Sequence, residues 1–484
     1  MLTANVTYQI SNLSPANQEL PGVVMGTSID VVGAAVDRAR PAATWWGGLG
    51  YKERRVHLLA WKRHIARRID ELAALIAAET GKSPDDAALE VMLAVEHLDW
   101  AARNAGKVLG RRKVPSGMLA ANHAATLEYL PLGVVGVIGP WNYPVYTPLG
   151  SVSYALAAGN AVVFKPSEHT PETGAWLATA WIEAVPEAPV LQAVLGDGSV
   201  GAALVWSGVD KIAFTGSAAT ARKVMATCAE TLTPLVVEGG GKDAMIVAAD
   251  ADLDAAARAA AFGGFGNAGQ TCAGVERVYV EKSVFNTFVD KVSALAVGEF
   301  TMTTPEQPAI VRAHVEDALL RGGKAVVGGA ESIKSGNVAP VILTDVPEDS
   351  IAVTEETFGP TLVINPVDSV AEAIKRTNHS KYGLAASIFT RNAGAAMDTA
   401  RKLRAGAASI NAVLGFASVP SLPFGGVGDS GFGRIHGADG LREFSRAQSV
   451  TRQRFNPPMD LVRLDRDPHT MARALKLFRM RHGR

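Results

Sequence analysis

Between residues 159 and 241, short apolar runs alternate with longer helical segments, and this alternation constrains the fold more than any other feature. The apolar runs each end in glycine or proline: GNAVVFKP, VLQAVLG, KIAFTG and TPLVVEGGG. The segments between them suit helices of about 10 to 15 residues. Strands separated by such helices pair in parallel, because each crossover returns the chain to the same end of the sheet. The sequence therefore predicts a parallel sheet with helices on both faces.

Similar patterns extend on both sides of this region. Residues 28–109 repeat apolar positions at spacings of three and four, which predicts helices. In the segment ATLEYLPLGVVGVIGP, from residue 125, apolar and polar residues first alternate and then give way to a continuous apolar run. This pattern is typical of a hairpin arm leading into a buried strand. Strands and helices alternate again from near residue 240. Because 484 residues suffice for two or three domains, we expect an α/β fold with two such units.

The charge balance and the cysteine count argue against several classes of protein. Basic and acidic residues number 47 each, so nothing indicates a nucleic-acid partner. Cys228 and Cys272 are too few for a disulfide framework or a zinc site, and we predict no metal. No run reaches the roughly 18 apolar residues of a membrane span. The first residues, MLTANVTYQISNLSP, are unlike a signal peptide. We therefore expect a soluble, cytoplasmic protein.

Two glycine-containing segments are candidates for binding a dinucleotide. GDGSVG (196–201) follows a predicted strand and opens a predicted helix, as a G-x-G-x-x-G fingerprint requires. FTGSAAT (214–220) is the stronger candidate, since the N–H groups at a helix N-terminus suit a phosphate. An ordinary serine N-cap at Ser217 explains the second pattern equally well. Likewise, Glu168 in VVFKPSE either binds the hydroxyls of an adenosine ribose or is a solvated surface charge.

Cys272 lies in the segment FGNAGQTCAG, where glycines occupy positions 263, 264, 266, 269 and 274. Glycine weakens regular structure but lets another backbone or a ligand approach closely. The thiol is either a small buried apolar group or a nucleophile presented by a tight turn. Cys228, within the predicted helix KVMATCAETL, is interpreted as a packing residue.

A series of motifs resembles the NAD(P)-dependent aldehyde dehydrogenases, in the family's order and with similar spacing. The motifs are PWNYP (140–144), FKPSE (164–168), FTGS (214–217), VEGGGK (237–242), GQTC (269–272), EETFGP (355–360) and LPFGGVGDSG (422–431). One such motif would be weak evidence, whereas seven in order are strong.

The resemblance implies a Rossmann-like cofactor domain, a second α/β catalytic domain and a small β oligomerisation arm. The expected boundaries are 1–111 with 132–239 for the NAD(P)-binding domain, 240–442 for the catalytic domain, 112–131 with 443–455 for the bridging domain, and 456–484 for a basic tail. It also implies homodimers or homotetramers held partly by the arm.

The resemblance also implies an active site. Cys272 would be the nucleophile, Glu238 the base, and Asn142 the side-chain donor to the oxyanion. The implied cofactor-binding residues are Ile138, Pro140, Trp141, Lys165, Ser167, Glu168, Gly196, Phe214, Thr215, Gly216, Ser217, Gly239, Glu356 and Phe358.

Several of these cofactor-binding residues have implied partners. Lys165 and Glu168 would hold the adenosine ribose, Gly216 and Ser217 the pyrophosphate, and Gly196 would lie near the adenine. Glu356 would bind the nicotinamide ribose and Phe358 would pack near its ring. Since a carboxylate at Glu168 repels a 2′-phosphate, NAD is the expected cofactor, with NADP as an alternative.

Some positions depart from the family's pattern. Gly239 replaces a common leucine, which would loosen the rotamer of Glu238, and Ala221 replaces a common glycine. Gly428 replaces a common lysine, and with His436 this resembles the branch acting on fatty and aromatic aldehydes. The segment 298–319 looks shorter than in the family.

The sequence favours an apolar aliphatic or aromatic aldehyde as the substrate. By resemblance, Tyr143, Tyr146 and residues 413–421 approach the substrate tunnel, and they carry few charges. The alternatives are a succinic semialdehyde-type dehydrogenase and a catalytically silent binding protein on the same fold. An acylating, coenzyme-A-dependent enzyme is disfavoured, because such relatives generally lack the glutamate found at Glu238.

The basic tail predicts an amphipathic helix over 470–484. Met471, Leu475 and Phe478 would share one face of it. Packing on the protein or on a neighbouring subunit is preferred to contact with an anionic membrane surface, although peripheral contact of that kind is an alternative.

Overall fold

The structure is a computed structural model that describes residues 23–25, 29–457 and 459–483. The remaining parts of the expected amino-terminal domain (1–22 and 26–28) and of the expected tail (458 and 484) lie outside the described residues.

The helices cluster in the amino-terminal hundred residues and then alternate with strands. Their bounds are α1 (Ile29–Gly48), α2 (Tyr51–Arg67), α3 (Ile69–Thr80), α4 (Pro84–Leu109), α5 (Tyr146–Ala158), α6 (Pro171–Ala184), α7 (Gly198–Trp206), α8 (Ala218–Thr231), α9 (Leu253–Phe265), α10 (Phe285–Ser293), α11 (Gln307–Leu320), α12 (Ile351–Thr354), α13 (Val370–Asn378), α14 (Ala393–Lys402), α15 (Gly437–Glu443) and α16 (Pro468–His482).

The strands form two large sheets and two small ones. Their bounds are β1 (Val23–Met25), β2 (Arg112–Val114), β3 (His123–Pro131), β4 (Val134–Ile138), β5 (Ala161–Lys165), β6 (Leu191–Leu195), β7 (Lys211–Thr215), β8 (Leu235–Glu238), β9 (Asp243–Val247), β10 (Val275–Glu281), β11 (Phe300–Thr301), β12 (Lys324–Val327), β13 (Asn337–Val338), β14 (Val341–Thr344), β15 (Thr361–Val367), β16 (Ala385–Phe389), β17 (Ala407–Ile410), β18 (Gly431–Phe432) and β19 (Ser445–Gln453).

The first large sheet has the strand order β1-β6-β5-β4-β7-β8-β18. All pairings are parallel except that β18 runs antiparallel to β8. The predicted strands after residue 159 are therefore confirmed as β5 to β8. The chain winds outward from β4 through β5 to β6 and then returns to β7 on the other side of β4. This reversal is the switch point at which open α/β sheets bind ligands, at the carboxyl ends of the strands.

The second large sheet has the order β12-β14-β15-β10-β9-β16-β17, and only β12 pairs antiparallel. Central strands β9 and β16 are buried at every position, as expected for parallel strands covered on both faces. The segment 298–319, which looked short, contains β11 and most of α11. The two sheets meet near residue 240, where β8 is followed directly by β9.

A third, antiparallel sheet joins two distant parts of the chain. Its order is β19-β3-β2, and β19 pairs with β3 from Ser445 opposite Pro131 to Gln453 opposite His123. These strands lie in the segments that the resemblance assigned to a bridging arm. The β19 strand begins two residues later than that assignment, because α15 continues to Glu443.

Helix α4 carries residues of the site and has clear sequence signals at its start. Ser83 caps it by accepting a hydrogen bond from the Asp86 amide at 3.1 Å, and Pro84 occupies its first turn. Its buried residues recur every three or four positions from Ala87 to Leu109. Among these buried positions are Glu90 and His97, on a face that is otherwise apolar.

The predicted tail helix is confirmed as α16, but little of it packs on the described chain. Ala474 is buried and Met471 is partly buried, whereas Leu475 and Phe478 are 45 % and 46 % exposed. Among the described residues, no helix is both long enough and apolar enough to cross a membrane. The cytoplasmic location stays a prediction.

Asn160 ties the first sheet to the third. It is fully buried, and its side-chain oxygen accepts from the amides of Leu132 (2.6 Å) and Gly133 (3.0 Å). Its side-chain nitrogen donates to the carbonyl oxygens of Ala155 (2.9 Å) and Phe444 (2.8 Å). One side chain thus joins the start of β4, the end of α5 and the start of β19.

Asn160→Ala should lower the free energy of unfolding by about 3 kcal/mol, because buried backbone groups lose their partners. Urea denaturation followed by circular dichroism measures the change. Asn104→Ala is the matched control: Asn104 makes one local bond, to the carbonyl of Trp100 on the same helix, and its loss should cost less than about 1 kcal/mol. Equal effects of the two substitutions would contradict the assigned role of Asn160.

Candidate active site

The carboxyl ends of four adjacent strands bring most of the predicted cofactor residues to one edge of the first sheet. Strand β4 ends at Ile138, β5 at Lys165, β7 at Thr215 and β8 at Glu238. The residues that follow these ends are Pro140, Trp141, Ser167, Glu168, Gly216, Ser217 and Gly239. Parallel pairing of the strands places all of them on the same edge. This edge contains the switch point of the sheet.

The Lys165 ammonium lies 3.1 Å from a carboxylate oxygen of Glu168. Lys165 is buried, whereas the Glu168 side chain is 46 % exposed. Burial raises the pKa of Glu168, but the charge of Lys165 and hydrogen bonds outweigh this, so the pKa lies below its ordinary value. Glu168 is therefore an ionised acceptor with access to solvent, which suits either of the two roles predicted for it.

Ser217 caps helix α8, since its hydroxyl accepts from the Thr220 amide at 3.3 Å. The N-cap interpretation of Ser217 is therefore confirmed. Gly216 lies under the ring of Phe214, which a Cβ atom at position 216 would approach to 2.8 Å. Gly196 has a φ of +151° just before α7. The other amides in the first turn of α8 have no partner within the helix, and such amides suit an anion.

Cys272 follows a strained turn. Asn267 and Ala268 have φ values of +52° and +58°, which non-glycine residues rarely adopt, and Gly269 follows at +70°. A Cβ atom at Gly269 would collide with the carbonyl of Gly359. Gly274 is restricted in the same way, since a Cβ would lie 2.9 Å from the carbonyl oxygens of Gly263 and Thr271. The glycines before and after the thiol thus permit close backbone contact.

The thiol of Cys272 donates a hydrogen bond to Oε1 of Glu238 at 3.2 Å. Gly241 makes this approach possible, because a Cβ there would collide with the carbonyl of Cys272. The second oxygen of Glu238 is buried, and no described group donates to it with good hydrogen-bond geometry, although the Thr215 side chain lies close enough to lower the pKa of this carboxyl group. A buried carboxyl oxygen without a partner is a position where a water molecule or a substrate atom would be bound.

Because this pair is enclosed, the pKa values of both groups are raised. Burial raises the pKa of Glu238 to about 7, although the hydrogen bond from Cys272 acts in the opposite direction. Burial also raises the pKa of the Cys272 thiol well above its ordinary value, and the carboxyl groups of Glu238, Glu356 and Asp243 add to this shift. The free protein therefore holds Cys272 as a neutral thiol at neutral pH.

Asn142 lies in the loop after β4, and its side-chain amide donates to the carbonyl oxygen of Gln270 at 2.9 Å. Its own carbonyl oxygen accepts from the Lys82 ammonium at 2.8 Å and from the Asn267 side chain at 3.0 Å. Asn142 is thus fixed directly to the segment that precedes Cys272.

A buried ion pair supports this loop. Lys82 and Glu90 are 2.6 Å apart, with fully buried side chains. The other carboxylate oxygen of Glu90 accepts from the amides of Val145 (2.8 Å) and Tyr146 (3.1 Å) at the start of α5. The pair holds the loop at both ends, and sequence reasoning missed it. Lys82 and Glu90 precede Asn142 by at least 52 residues, and no local pattern marks either of them.

Glu356 and Phe358 lie between α12 and β15, in a segment that contacts residues following the strands of the first large sheet. An oxygen of Glu356 accepts from the Gly241 amide at 2.9 Å, and burial followed by the charge of Glu276 raises the pKa of Glu356 to about 8. Phe358 has a φ of +55°, and its ring meets that of Trp141 edge-on at 5.4 Å. Glu276, paired with Lys242, accepts from the Phe358 amide at 3.0 Å.

Two departures from the family's pattern have packing explanations. A Cβ at Gly239 would lie 2.6 Å from the carbonyl oxygen of Asp429, and the Gly239 amide donates to the Ser430 carbonyl at 3.0 Å. This contact restrains the backbone next to Glu238, against the loosening that the sequence suggested. Gly428 has a φ of +62°, and a Cβ there would collide with the carbonyl of Lys381.

An apolar cavity of about 310 Å³ leads to Cys272. It is lined by the predicted Tyr143, Tyr146 and residues 413–418, but not by 419–421. Sequence reasoning missed further lining residues: Lys82, Asp86, Leu89, Glu90, Leu93, Phe262, Phe424 and Ile435. Leu89 and Leu93 come from α4 and Phe262 from α9. Their spacing matches ordinary amphipathic helices, so only the tertiary fold identifies them.

A thiol paired with a buried carboxyl group, where a doubly wound sheet meets a second α/β unit, is an arrangement suited to an enzyme. The chain belongs to the aldehyde dehydrogenase family, whose sequence pattern matches residues 3–450. That range includes every strand of both large sheets. The recognition made from the motifs and the predicted fold class are confirmed.

Individual proteins resemble the chain over most of its length. A Methylomonas protein named 4,4'-diapolycopene aldehyde oxidase is 38% identical over 464 residues, 93% of this chain and 87% of its own. A Mycolicibacterium smegmatis protein provisionally named a succinate-semialdehyde dehydrogenase [NADP(+)] is 35% identical over 92% of this chain and 89% of its own. The crystal structure of an NAD-dependent aldehyde dehydrogenase from Sinorhizobium meliloti has a TM-score of 0.85 and 31% identity, covering 90% of this chain and 89% of that one.

The carboxyl group of Glu238 should suppress the reactivity of Cys272 towards iodoacetamide. Glu238→Gln removes a neighbouring negative charge, so the pKa of the thiol should fall and alkylation at about pH 8.5 should become several-fold faster. Mass spectrometry of the labelled peptide measures the rate. Glu230→Gln, at an exposed position, should behave like the wild type. An unchanged or slower rate in Glu238→Gln would contradict the electrostatic coupling.

Proposed function

We propose that the protein oxidises an aldehyde to its carboxylic acid with reduction of NAD(P), through a covalent intermediate on Cys272. The observation that carries the proposal is the 3.2 Å contact between the thiol and Glu238 at the end of an apolar cavity. The same carboxyl group is buried beside the strand edge that suits a dinucleotide.

The first step is addition of the Cys272 sulfur to the aldehyde carbon. An aldehyde releases hydride readily only after a nucleophile has added to its carbon. The thiol proton passes to Glu238, which already accepts its hydrogen bond. The carbonyl π electrons move to oxygen, giving a thiohemiacetal oxyanion.

Asn142 and the backbone N–H of Cys272 stabilise that oxyanion. The Asn142 amide nitrogen carries two N–H bonds, and one of them is used by the Gln270 carbonyl. The other is free to donate to the substrate oxygen. Lys82 and Asn267 hold the Asn142 backbone from the opposite side, so this donor is positioned before the substrate arrives.

The residues at the strand edge fit a dinucleotide. The start of α8 offers amides to the pyrophosphate, and Glu168 offers an ionised acceptor to the adenosine ribose. Glu356 would hold the nicotinamide ribose, and the Phe358 ring would pack beside the nicotinamide. When bound, the nicotinamide accepts the hydride that leaves the thiohemiacetal carbon, and a thioester remains on Cys272. The charge of Glu168 favours NAD over NADP, while Lys165 beside it leaves some affinity for a 2′-phosphate.

Glu238 then activates the water that hydrolyses the thioester. Glu238 first releases the thiol proton to solvent and then takes a proton from water as the hydroxyl adds to the acyl carbon. The C–S bond breaks to release the acid, and the proton on Glu238 returns to the Cys272 sulfur. The pKa of Glu238, raised to about 7 by burial, matches this task at neutral pH. Its second oxygen, to which no described group donates with good hydrogen-bond geometry, is the acceptor available to that water.

We propose an apolar aldehyde as the substrate. Among the described residues that line the cavity, Lys82 is the only cation, and it is paired with Glu90. Asp86 adds a negative charge at the exposed end of the cavity. A carboxylated aldehyde would thus enter without a counter-charge. The name of the relative called a diapolycopene aldehyde oxidase supports an apolar substrate. The name of the relative called a succinate-semialdehyde dehydrogenase supports the alternative, so succinic semialdehyde is included in the test below.

We also propose that the protein forms homodimers or homotetramers through the third sheet and the tail. Among the described residues, no strand pairs with the outer edges of β2 and β19, and such edges favour pairing with another copy. Leu475, Leu477, Phe478 and Met480 of α16 are between 44 % and 54 % exposed and offer apolar surface to a second copy.

Cys272→Ala should abolish aldehyde oxidation, lowering kcat by about 1,000-fold or more, because no nucleophile remains. Absorbance of the reduced nicotinamide measures turnover of hexanal, benzaldehyde and succinic semialdehyde with NAD and with NADP. Hexanal and benzaldehyde should exceed succinic semialdehyde. Cys228→Ala is the control and should retain activity, since that thiol packs in α8. Cofactor binding without turnover of any aldehyde would favour the silent binding protein, and activity in Cys272→Ala would refute the mechanism.

The pH dependence of kcat should follow Glu238. Below its pKa of about 7 the carboxyl group is protonated and cannot accept a proton, so kcat should fall about tenfold per pH unit there and level off above. Steady-state rates with hexanal between about pH 5.5 and 8.5 measure the profile. Glu238→Gln should lose at least about 100-fold in kcat and the step near pH 7, while Glu230→Gln should keep both. If kcat of Glu238→Gln still changed near pH 7, the pH dependence would belong to another group.

A further inference from the structure

Gly266 is the exception among the glycines that precede Cys272. Gly263 and Gly264 have no room for a side chain, since a Cβ would lie 2.7 Å from Val275 and 2.5 Å from Leu362. Gly269 is closed by the Gly359 carbonyl. At Gly266 a Cβ would meet only the ring of Phe262, at an ordinary 3.7 Å. Close packing therefore does not require glycine at this position.

Backbone conformation does not require it either. Gly266 has a φ of −56° and a ψ of 141°, values that every residue type adopts. A side chain at position 266 would project into the space beside Phe262. Because residue 266 is a glycine, the space beside Phe262 stays open, whereas a larger residue would fill it.

Two neighbouring cavities share Gly266 and Phe262 as lining residues. Gly266 and Phe262 line the cavity that leads to Cys272, and they also line a neighbouring surface groove of about 290 Å³. The groove is otherwise lined by Arg258, Ala261, Phe265, Leu295, Val297 and Phe300. Val297 is 69 % exposed, Phe262 52 % and Leu295 41 %, which is a large apolar exposure for adjacent residues. Arg258 is the only charged residue among those that line it.

We propose that the groove binds the distal end of a long apolar aldehyde whose reactive end lies at Cys272. The chain of the substrate passes over Gly266, alongside the ring of Phe262, and leaves the cavity into the groove. This inference rests on the proposed function, because it names the substrate class of that same site: aldehydes with an unbranched apolar chain longer than the cavity. Gly266 is then a specificity-determining residue, since its missing side chain keeps the passage open.

The groove should make catalytic efficiency depend on chain length. Each methylene group removed from water gains about fourfold in binding, so a chain reaching the groove should be used much better than one confined to the cavity. A leucine at position 266 would block the passage, and a charge at position 297 would make the groove unfavourable for an apolar chain. Both changes should act on long substrates more than on short ones.

The test compares kcat/KM for hexadecanal and hexanal, in one fixed low concentration of nonionic detergent, for wild type, Gly266→Leu and Val297→Asp. We expect the hexadecanal-to-hexanal ratio to fall at least about tenfold in Gly266→Leu and several-fold in Val297→Asp. Val56→Asp is the matched control, because Val56 is also exposed (62 %) but lies on α2 away from both cavities. Its ratio should equal that of the wild type. Wild-type ratios in both test variants would overturn the inference.

A binding measurement separates this inference from the proposed function. Equilibrium dialysis of radiolabelled hexadecanol and hexanol against the Cys272→Ala protein and its Gly266→Leu double variant needs no turnover. Hexadecanol should bind at least about tenfold more weakly to the double variant, while hexanol should bind about equally to both. Equal hexadecanol affinities would overturn the groove assignment even if the enzyme oxidises aldehydes. Weakened hexadecanol binding in a protein that oxidises no aldehyde would support the groove and refute the proposed function instead.

Discussion

The site depends on backbone segments that approach one another more closely than side chains would allow. Gly241 lies against the carbonyl of Cys272, and Gly269 lies against the carbonyl of Gly359. These contacts press the thiol-bearing turn between the end of the first sheet and the segment that carries Glu356 and Phe358. A methyl group at either glycine would move the thiol away from Glu238, and the 3.2 Å hydrogen bond would be lost.

Two buried ion pairs hold the loops around this contact. Lys82 with Glu90 fixes the Asn142 loop, and Lys242 with Glu276 fixes the segment around Phe358. A buried pair adds little net stability compared with an apolar replacement, because both charges lose their hydration. In this protein Lys82, Glu90 and Glu276 also bind backbone groups of loops that line the site, and Lys242 binds the Thr357 hydroxyl at 2.9 Å. The pairs are thus better explained by the positions they impose than by the stability they add.

The sequence predicted the parts of this structure that depend on local pattern. Strands β5 to β8, the cap at Ser217 and the helix α16 follow from short-range signals and were found where expected. Cys272 and Glu238 were identified by motif, and the structure places them in contact. The Lys82–Glu90 pair was missed because its partners in the loop are distant in sequence. The proposed role of Gly266 was missed because the sequence does not distinguish a glycine that is required by close packing from one that leaves a space open.

The buried position of Glu238 opposes stability while it suits the base that we propose this residue to be. Its folded-state pKa, about 7, exceeds the ordinary value of 4.5, so the folded protein binds this proton more tightly than the unfolded chain does. Below about pH 4 both states are protonated and the group has no effect on the free energy of unfolding. As the pH rises through 7 the folded state becomes less stable by roughly 3 kcal/mol, since one pKa unit corresponds to about 1.4 kcal/mol. A glutamine would avoid this loss but could not accept a proton, which explains why a destabilising carboxyl group belongs beside the thiol.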